Sequence, residues 1–542
     1  MSLGFAPALG RETVVKAAAW PHHLTLIEAW ICAALMAVVI CLPLRTAAFQ
    51  EDLNFRRLER ISETIRQGQL ARAEAELEDV LRTQSHNANA LNLLGVVRAQ
   101  QQREVEAEKL FLNAIKESPR LVGAYVNLGR LYLDQHQSER SLWAYTEAGK
   151  LAPDRADINY TLATIYEERH DFLQAVSFLE KIPRPSWGTS ELYLITKCYL
   201  ALGKTNEALT LIGPLKRPGV LNADEAAGFA ATFIEQNLPD EAIALLNAAR
   251  QREPSSFVLL YQLGASYARK REWNQSEEFY AAALALKPDS VATMRELARV
   301  ARVRGELEKA LSYLVRARKL APDAPAILYD FAVVAFNMGL ILDALPVAER
   351  LYQQQPNEPA YVHLLAVTRF RRDEKAQAET LLRRYIELRP NEALGYYLLG
   401  VTLFTIKRYD EARKALEQSL AFGHNADSEY LLGLIADTEG DTEGALRWLQ
   451  STLKSDASYA AAQTLLGVVY VEQKKYSLAR TTLERAVQLN AKDLRAHYQL
   501  GLVYAKLGEK ERAQQMFAIA DQLRKEQRDE ETIKFKLIDP PQ

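Results

Sequence analysis

Cysteine is nearly missing from this 542-residue chain: Cys32, Cys41 and Cys198 are the whole supply, so no disulfide framework can hold it together. Two of the three lie in an apolar stretch near the start, and Cys198, beside Tyr199, reads as a small core residue. No CxxC and no Cys/His cluster suggests zinc. An excess of charge is missing too. The 67 basic and 69 acidic residues leave a net −2, which gives no general attraction to nucleic acid or to an anionic membrane. The eight histidines (His22, His23, His86, His136, His170, His363, His424 and His497) are scattered and never form HExxH. A phosphate-cradling glycine loop is also lacking. With no residue placed as a nucleophile or general base, the chain reads as non-enzymatic, without cofactor or metal.

Long apolar runs occur once. Ala29 to Leu44 holds sixteen residues without a charge, preceded by Arg11 and Lys16 and followed by Thr46 and Ala48, small residues suited to cleavage before Phe49. A basic start, an apolar middle and a small-residue exit describe a secretory signal. A membrane anchor is the rival. It needs about 20 apolar residues, and extending back to Leu24 includes Glu28, which is costly in lipid. Arg45, just past the run, disfavours either export reading. A lipoprotein signal fits poorly, because Val38, Val39 and Ile40 precede Cys41 where a small residue belongs. Residues 1–48 are therefore expected to be a signal peptide or signal anchor, placing the rest outside the cytoplasm.

What is present is a beat. Small residues recur every 34 positions at Gly95, Gly129, Ala163, Ala230, Gly264, Ala298, Ala332, Ala366, Gly400, Gly433, Gly467 and Gly501, with Thr196 in the gap and two steps of 33. A second series twelve residues behind runs from Ala73 to Ala513, and all fourteen members are Ala or Ser. Such a period means stacked copies of one small unit. Within residues 257–290, Leu260, Leu263 and Tyr267 have helical spacing, Arg269 to Glu272 form a charged turn, and Phe279, Ala283 and Leu286 mark a second helix ended by Pro288 and Asp289. Each unit is thus two antiparallel helices that approach closely at the small residues. The beat falters at Ile61 in the first unit and in the Pro- and Gly-bearing stretches 181–190 and 213–224, which should shorten second helices. It falters again at residues 421–428.

Leu263, Gly264, Tyr267, Ser276, Phe279, Tyr280, Ala283 and Pro288, with close matches at residues 125–132 and 498–504, make the unit resemble the tetratricopeptide repeat. The resemblance covers residues 54–525 in about fourteen units, leaving 526–542 as a charged cap and tail. It implies an all-α fold, a right-handed superhelical α-solenoid of antiparallel helix pairs, that binds protein or peptide in a concave groove lined by first helices. Two groove chemistries within the family lack their residues here. The Lys/Asn clamp positions hold mostly Leu58, Asn92, Val96, Val126 and Arg130, and only Asn127 occupies the position of an asparagine ladder.

In first helices, the positions three before, one after and four after the small residue share a face. That stripe reads Arg295, Arg299 and Arg302, then Tyr329, Val333 and Phe336, then His363, Val367 and Phe370, then Tyr397, Val401 and Phe404. Aromatic and Arg residues are enriched at binding hot spots, so these twelve positions are the candidate partner surface, with the arginines meeting an acidic group. Tyr at this position also suits packing between units, and the arginines can pair with Glu296, Glu306 or Glu308. The function expected is an exported scaffold binding protein or peptide segments. The alternative is a membrane-anchored structural subunit of an envelope export or surface-polymer machine.

Overall fold

Two antiparallel helices approach most closely where side chains are small, and the small residues of this sequence set where nearly every pair meets. The computed structural model describes residues 54–526, and the Ala29–Leu44 run and the tail after 526 lie outside them. Among the described residues there are twenty-eight α-helices and no strand, arranged as fourteen tandem antiparallel pairs. The first pair joins residues 54–66 to Leu70–Thr83, and the last joins Leu494–Leu507 to Lys510–Glu526. A typical unit consists of Phe257–Arg269 and Trp273–Leu286, of 13 and 14 residues.

The chain divides at Pro214/Leu215 into two compact bodies, and the division falls inside the Pro- and Gly-rich stretch. The second helices at the two irregular places, Phe172–Leu179 and Thr205–Ile212, are cut to 8 residues each. Short 3-10 turns, Arg184–Ser186 and Gly213–Lys216, follow them.

Packing at the small residues follows a simple rule. The glycine of a first helix faces the residue sixteen places on, in the second helix. A Cβ on Gly95 would lie 2.6 Å from the Phe111 ring, one on Gly129 2.7 Å from Tyr145, one on Gly264 2.6 Å from Tyr280, and one on Gly501 2.8 Å from Phe517. Where the first-helix residue is Ala, as at Ala163, Ala230, Ala298 and Ala366, the facing position holds Leu179, Leu246, Leu314 and Leu382. The second small series is buried throughout, from Ala73 at 0% to Ala513 at 4% exposed. Its two serines, Ser141 and Ser276, donate their hydroxyls to the carbonyls of Gly129 and Gly264, each at 2.9 Å. The first unit obeys the same geometry with Ile61 in the small position, buried with Ile65, Ala73 and Leu77.

The turn between the two helices is identical in construction along the chain. The residue seven places after the small position is left-handed in every unit, from Gly68 and Gln102 to Lys474 and Gly508. The next amide then reaches back to the first helix, as Arg103 N does to Arg98 O and Glu374 N to Arg369 O. This is the six-to-one closure of a Schellman motif, which satisfies a carbonyl the helix end leaves open. Glycine fills the position at 68, 203, 305, 339, 440 and 508, while Gln102, His136, His170, Asn237, Arg271, Asp373, Lys407 and Lys474 hold it at a steric cost.

Neighbouring units are also joined by charge. The residue just after the small residue of a second helix is acidic at Glu74, Glu108, Glu277 and Glu379. It pairs with Arg98, Arg140, Arg304 and Arg408 of the following unit, the last at 2.6 Å. Further along the sign reverses: Arg413 pairs with Glu439, and Arg480 with Glu509 at 3.2 Å. Arg98 is the most enclosed of these cations, 7% exposed among Glu74, Glu78 and Glu106.

Candidate functional site

The second body carries the candidate surface. The helix Val291–Val303 packs through Met294, Leu297, Ala298, Val300 and Ala301, which leaves Arg295, Arg299 and Arg302 on another face at helical spacing. The Arg295 side chain is 43% exposed and its Nε donates to Asp330 Oδ2 of the next first helix at 2.5 Å. Arg299 is 52% exposed and donates through Nε and Nη2 to Glu296 Oε2 at 2.9 and 2.7 Å. Arg302 is half-buried and also engaged within the protein.

Tyrosines frame the arginines. Burial and Glu296 raise the Tyr261 hydroxyl above its ordinary pKa, while Arg299 and Arg295 pull it back. Burial and Glu358 raise Tyr361, and Arg295 opposes them. The guanidinium of Arg295 thus acts on tyrosines of the preceding unit and of the second unit following. Burial would lower its own pKa, but the bond to Asp330 and the charges of Asp330 and Glu296 outweigh that and hold it cationic. Tyr329 and Tyr361 lie with ring centroids 5.8 Å apart, and both are half-buried. The result is a cationic, aromatic-edged surface whose guanidinium groups are held in place and half open to solvent.

The apolar part of the expected stripe is placed differently. Val333, Phe336, His363, Val367, Phe370 and Val401 are all 5% exposed or less, and the five apolar members belong to one core cluster. Consecutive first helices approach closely enough to bury these positions between them. Basic side chains lie over two of the rings: Lys375 Nζ is 3.7 Å from the Phe370 centroid, and Arg371 is 5.8 Å from that of Phe336. The His363 ring stands 5.7 Å from that of Tyr385 inside the core. These six residues therefore offer no surface to a partner, which corrects the reading from spacing. Of the twelve, Arg295, Arg299, Arg302, Tyr329, Tyr397 and Phe404 keep accessible surface.

Spacing alone did not single out Asp330, Glu296, Tyr261 and Tyr361. One signal was available for Asp330: it lies one unit plus one residue beyond Arg295, the step that also joins Asn92 to Asn127 through a 2.9 Å hydrogen bond.

Among the described residues no group of His, Cys, Asp and Glu is placed to hold a metal ion, and no helix is long and apolar enough to cross a membrane.

Family models described as tetratricopeptide repeat match residues 58–121, 229–291, 295–359 and 494–526. A TPR repeat model matches 469–508, and a model described as anaphase-promoting complex, cyclosome, subunit 3 matches 337–419. The chain is 35% identical over 78 residues to protein O-mannosyl-transferase TMTC3 of Mus musculus, covering 14% of this chain and 8% of that one. It is 25% identical over 189 residues to the human TMTC1, covering 33% and 21%. The matches thus span about a fifth or less of these relatives. Among solved structures, the APC/C hetero-tetramer Cut9–Hcn1 is similar at 17% identity, 82% of this chain, 95% of that chain and a TM-score of 0.39. Yeast Tom70 is similar at 15% identity, 81% and 96% coverage and a TM-score of 0.36.

Proposed function

Starting from a chain that carries tetratricopeptide repeats, we propose that it is a non-enzymatic scaffold which holds an acidic segment of a partner protein on the arginine face of Val291–Val303. The carrying observation is that Arg295 and Arg299 stand half exposed on one face, each anchored by one carboxylate. Asp330 bonds the Nε of Arg295, and the side chain keeps 43% of its surface, room for a second carboxylate on the same guanidinium. Tyr261, Tyr329 and Tyr361 beside them supply apolar edges of the kind enriched at binding hot spots.

The test replaces Arg295, Arg299 and Arg302 with Gln, and in a second variant with Glu, and measures capture of an acidic peptide by anisotropy. Each lost charge-assisted hydrogen bond is worth about 1.5–3 kcal/mol, so the Gln variant should bind at least tenfold more weakly and the Glu variant not at all, with helicity unchanged. Capture that survives both variants, or that ignores added salt, rejects the reading.

The scaffold is exported, with the repeats outside the cytoplasm. This rests on the apolar run Ala29 to Leu44 behind Arg11 and Lys16. Mass spectrometry of the mature N-terminus decides between its forms: a start at Phe49 indicates a soluble scaffold, and a retained run indicates the anchored structural subunit. Repeats found in the cytoplasm would overturn both.

A further inference from the structure

One turn of the second body breaks the polar habit of all the others. Counted from the small position of a first helix, the residues six to ten places on form the turn and open the second helix. Every other unit has at least one charged or amide side chain among those five, as at residues 304–308, 372–376 and 439–443. The ninth pair, Pro325–Asn337 and Ile341–Gln354, has Met338, Gly339, Leu340, Ile341 and Leu342 there. Folding does not require them. Gly339, left-handed at φ 77°, turns the chain, and Leu340 N closes on Ala335 O at 2.8 Å. Leu340 then stands at the helix N-cap, where its side chain accepts nothing and a polar residue is preferred. Leu342 is 77% exposed, more than any other large apolar side chain among the described residues, and Leu340 is 37% exposed. Met338 and Ile341 are half-buried against the core beneath them. Val105 and Leu173 hold the place of Leu342 in other units and are exposed too, but the turns that lead to them carry Arg103 with Glu104, and Arg169 with Asp171.

The repeat register sets the rim of this apolar turn. The tenth residue after the small position meets the sixth of the following unit: Asp240 pairs with Lys270 at 2.9 Å, and Glu139 with Arg169. By the same step Glu308 falls beside Met338, which offers it no base. Glu308 and Asp343 are exposed, and neither has an ion-pair partner among the described residues. On the far side Arg372 takes the place beside Leu342, and Glu374 already holds it at 3.2 Å. The surface is an apolar knob with acidic groups left over at its edge, and exposed apolar surface rimmed by polar residues marks a contact site.

An occupant has to bring apolar side chains set among bases. The chain itself supplies such a segment in Thr532, Ile533, Lys534, Phe535, Lys536, Leu537 and Ile538. Alternate side chains of an extended segment share a face, so Ile533, Phe535 and Leu537 can lie together while the lysine stems reach round to the rim. A copy cannot serve itself. Glu526 and Ile533 are seven residues apart, a reach of about 25 Å at most. Five units of stacked helices separate the ninth pair from the last, about 50 Å at a layer spacing of ~10 Å. We infer that residues 532–538 of a second copy seat on the turn 338–342, with Phe535 between Leu340 and Leu342 and the two lysines at Glu308 and Asp343. The two surfaces of this contact are different, so copies add head to tail. The contact is separate from the arginine face of Val291–Val303.

The test is sedimentation of the full chain over a wide range of concentration. The mass should climb past that of a dimer, and added salt should weaken the climb. Leu342→Lys and Phe535→Lys should each lower association about tenfold or more, as loss of a buried apolar anchor does, with circular dichroism unchanged. The Arg295, Arg299 and Arg302 variants should associate like wild type. Charge exchange identifies the occupant. A chain with Glu308→Lys and Asp343→Lys should stay apart, as should one with Lys534→Glu and Lys536→Glu. An equal mixture of the two should recover, because each tail then meets a seat of opposite charge. A monomer at every concentration, association indifferent to Leu342→Lys or Phe535→Lys, or a mixture that stays apart overturns the inference.

Discussion

Replacing Gly264 with Ala tests the packing rule that builds every unit. Helix propensity alone predicts stabilisation, because Ala is favoured over Gly in a helix interior by about 1 kcal/mol. The structure predicts the opposite sign. The new Cβ would fall 2.6, 2.7 and 2.9 Å from Cδ1, Cγ and Cε1 of Tyr280. That ring is fully buried and meets the Tyr261 ring edge-on at 5.4 Å, so it cannot swing away as a flexible side chain would. Overpacking of this kind costs about 1–3 kcal/mol, and subtracting the propensity gain leaves a net loss of about 1 kcal/mol. Solenoids open locally, so the measurement is hydrogen exchange of residues 257–286 in the full chain, which should lose protection. Tyr280→Leu in the same chain should restore it, because Ala298 with Leu314 already uses that combination. The coupling between the two sites should fall in the range of about 0.5–3 kcal/mol seen for contacting residues. Gly149→Ala is the control: its Cβ would meet only Leu162 and Ile158, at 3.4 and 3.6 Å, so that helix should gain stability. Equal or higher protection in Gly264→Ala would refute the reasoning.

Lys407→Gly and Lys474→Gly, at left-handed turn positions with φ of 62° and 60°, should each raise stability by about 0.5–1 kcal/mol, read from chemical denaturation. No gain would mean that the turn does not set the unit's stability. For pH, the Gln101 amide holds the Glu74 pKa below its usual 4.5; burial opposes this, and Arg98 and Arg103 add to the lowering. A depressed carboxylate stabilises the fold above its unfolded-state pKa and loses that contribution as pH falls through the folded value. Wild type should therefore exceed Glu74→Gln in urea midpoint at neutral pH and converge with it below pH 4.5. A constant difference down to acid pH would contradict the pairing.

The sequence foretold the fold in detail where one residue's size decides the geometry. The beat located the helix pairs, and the Pro and Gly stretches marked the two shortened second helices, Phe172–Leu179 and Thr205–Ile212. Two further regularities stand in the letters themselves. Wherever Phe or Tyr stands sixteen residues on, the small position is glycine, and glycine recurs at the left-handed turn position. The candidate surface was harder. A helical face can be assigned from spacing, but whether that face meets water depends on how closely the next first helix lies. Spacing assigns Val333, Val367 and Val401 to the surface, yet they are core, whereas Arg295 and Arg299 stay out because a guanidinium demands water or a carboxylate.

The reversal of sign along the inter-unit ion pairs makes the array directional in a way that its repeated fold does not. A unit carrying Glu379 on its second helix is matched to one that brings Arg408, while the next joint needs Arg413 to meet Glu439. Deleting the unit between them would set Glu379 against Glu439, two carboxylates at one joint. Copies of nearly equal shape are thus keyed to their own neighbours, and an unequal crossover between repeats in the gene would produce a chain that folds unit by unit yet joins badly at the scar.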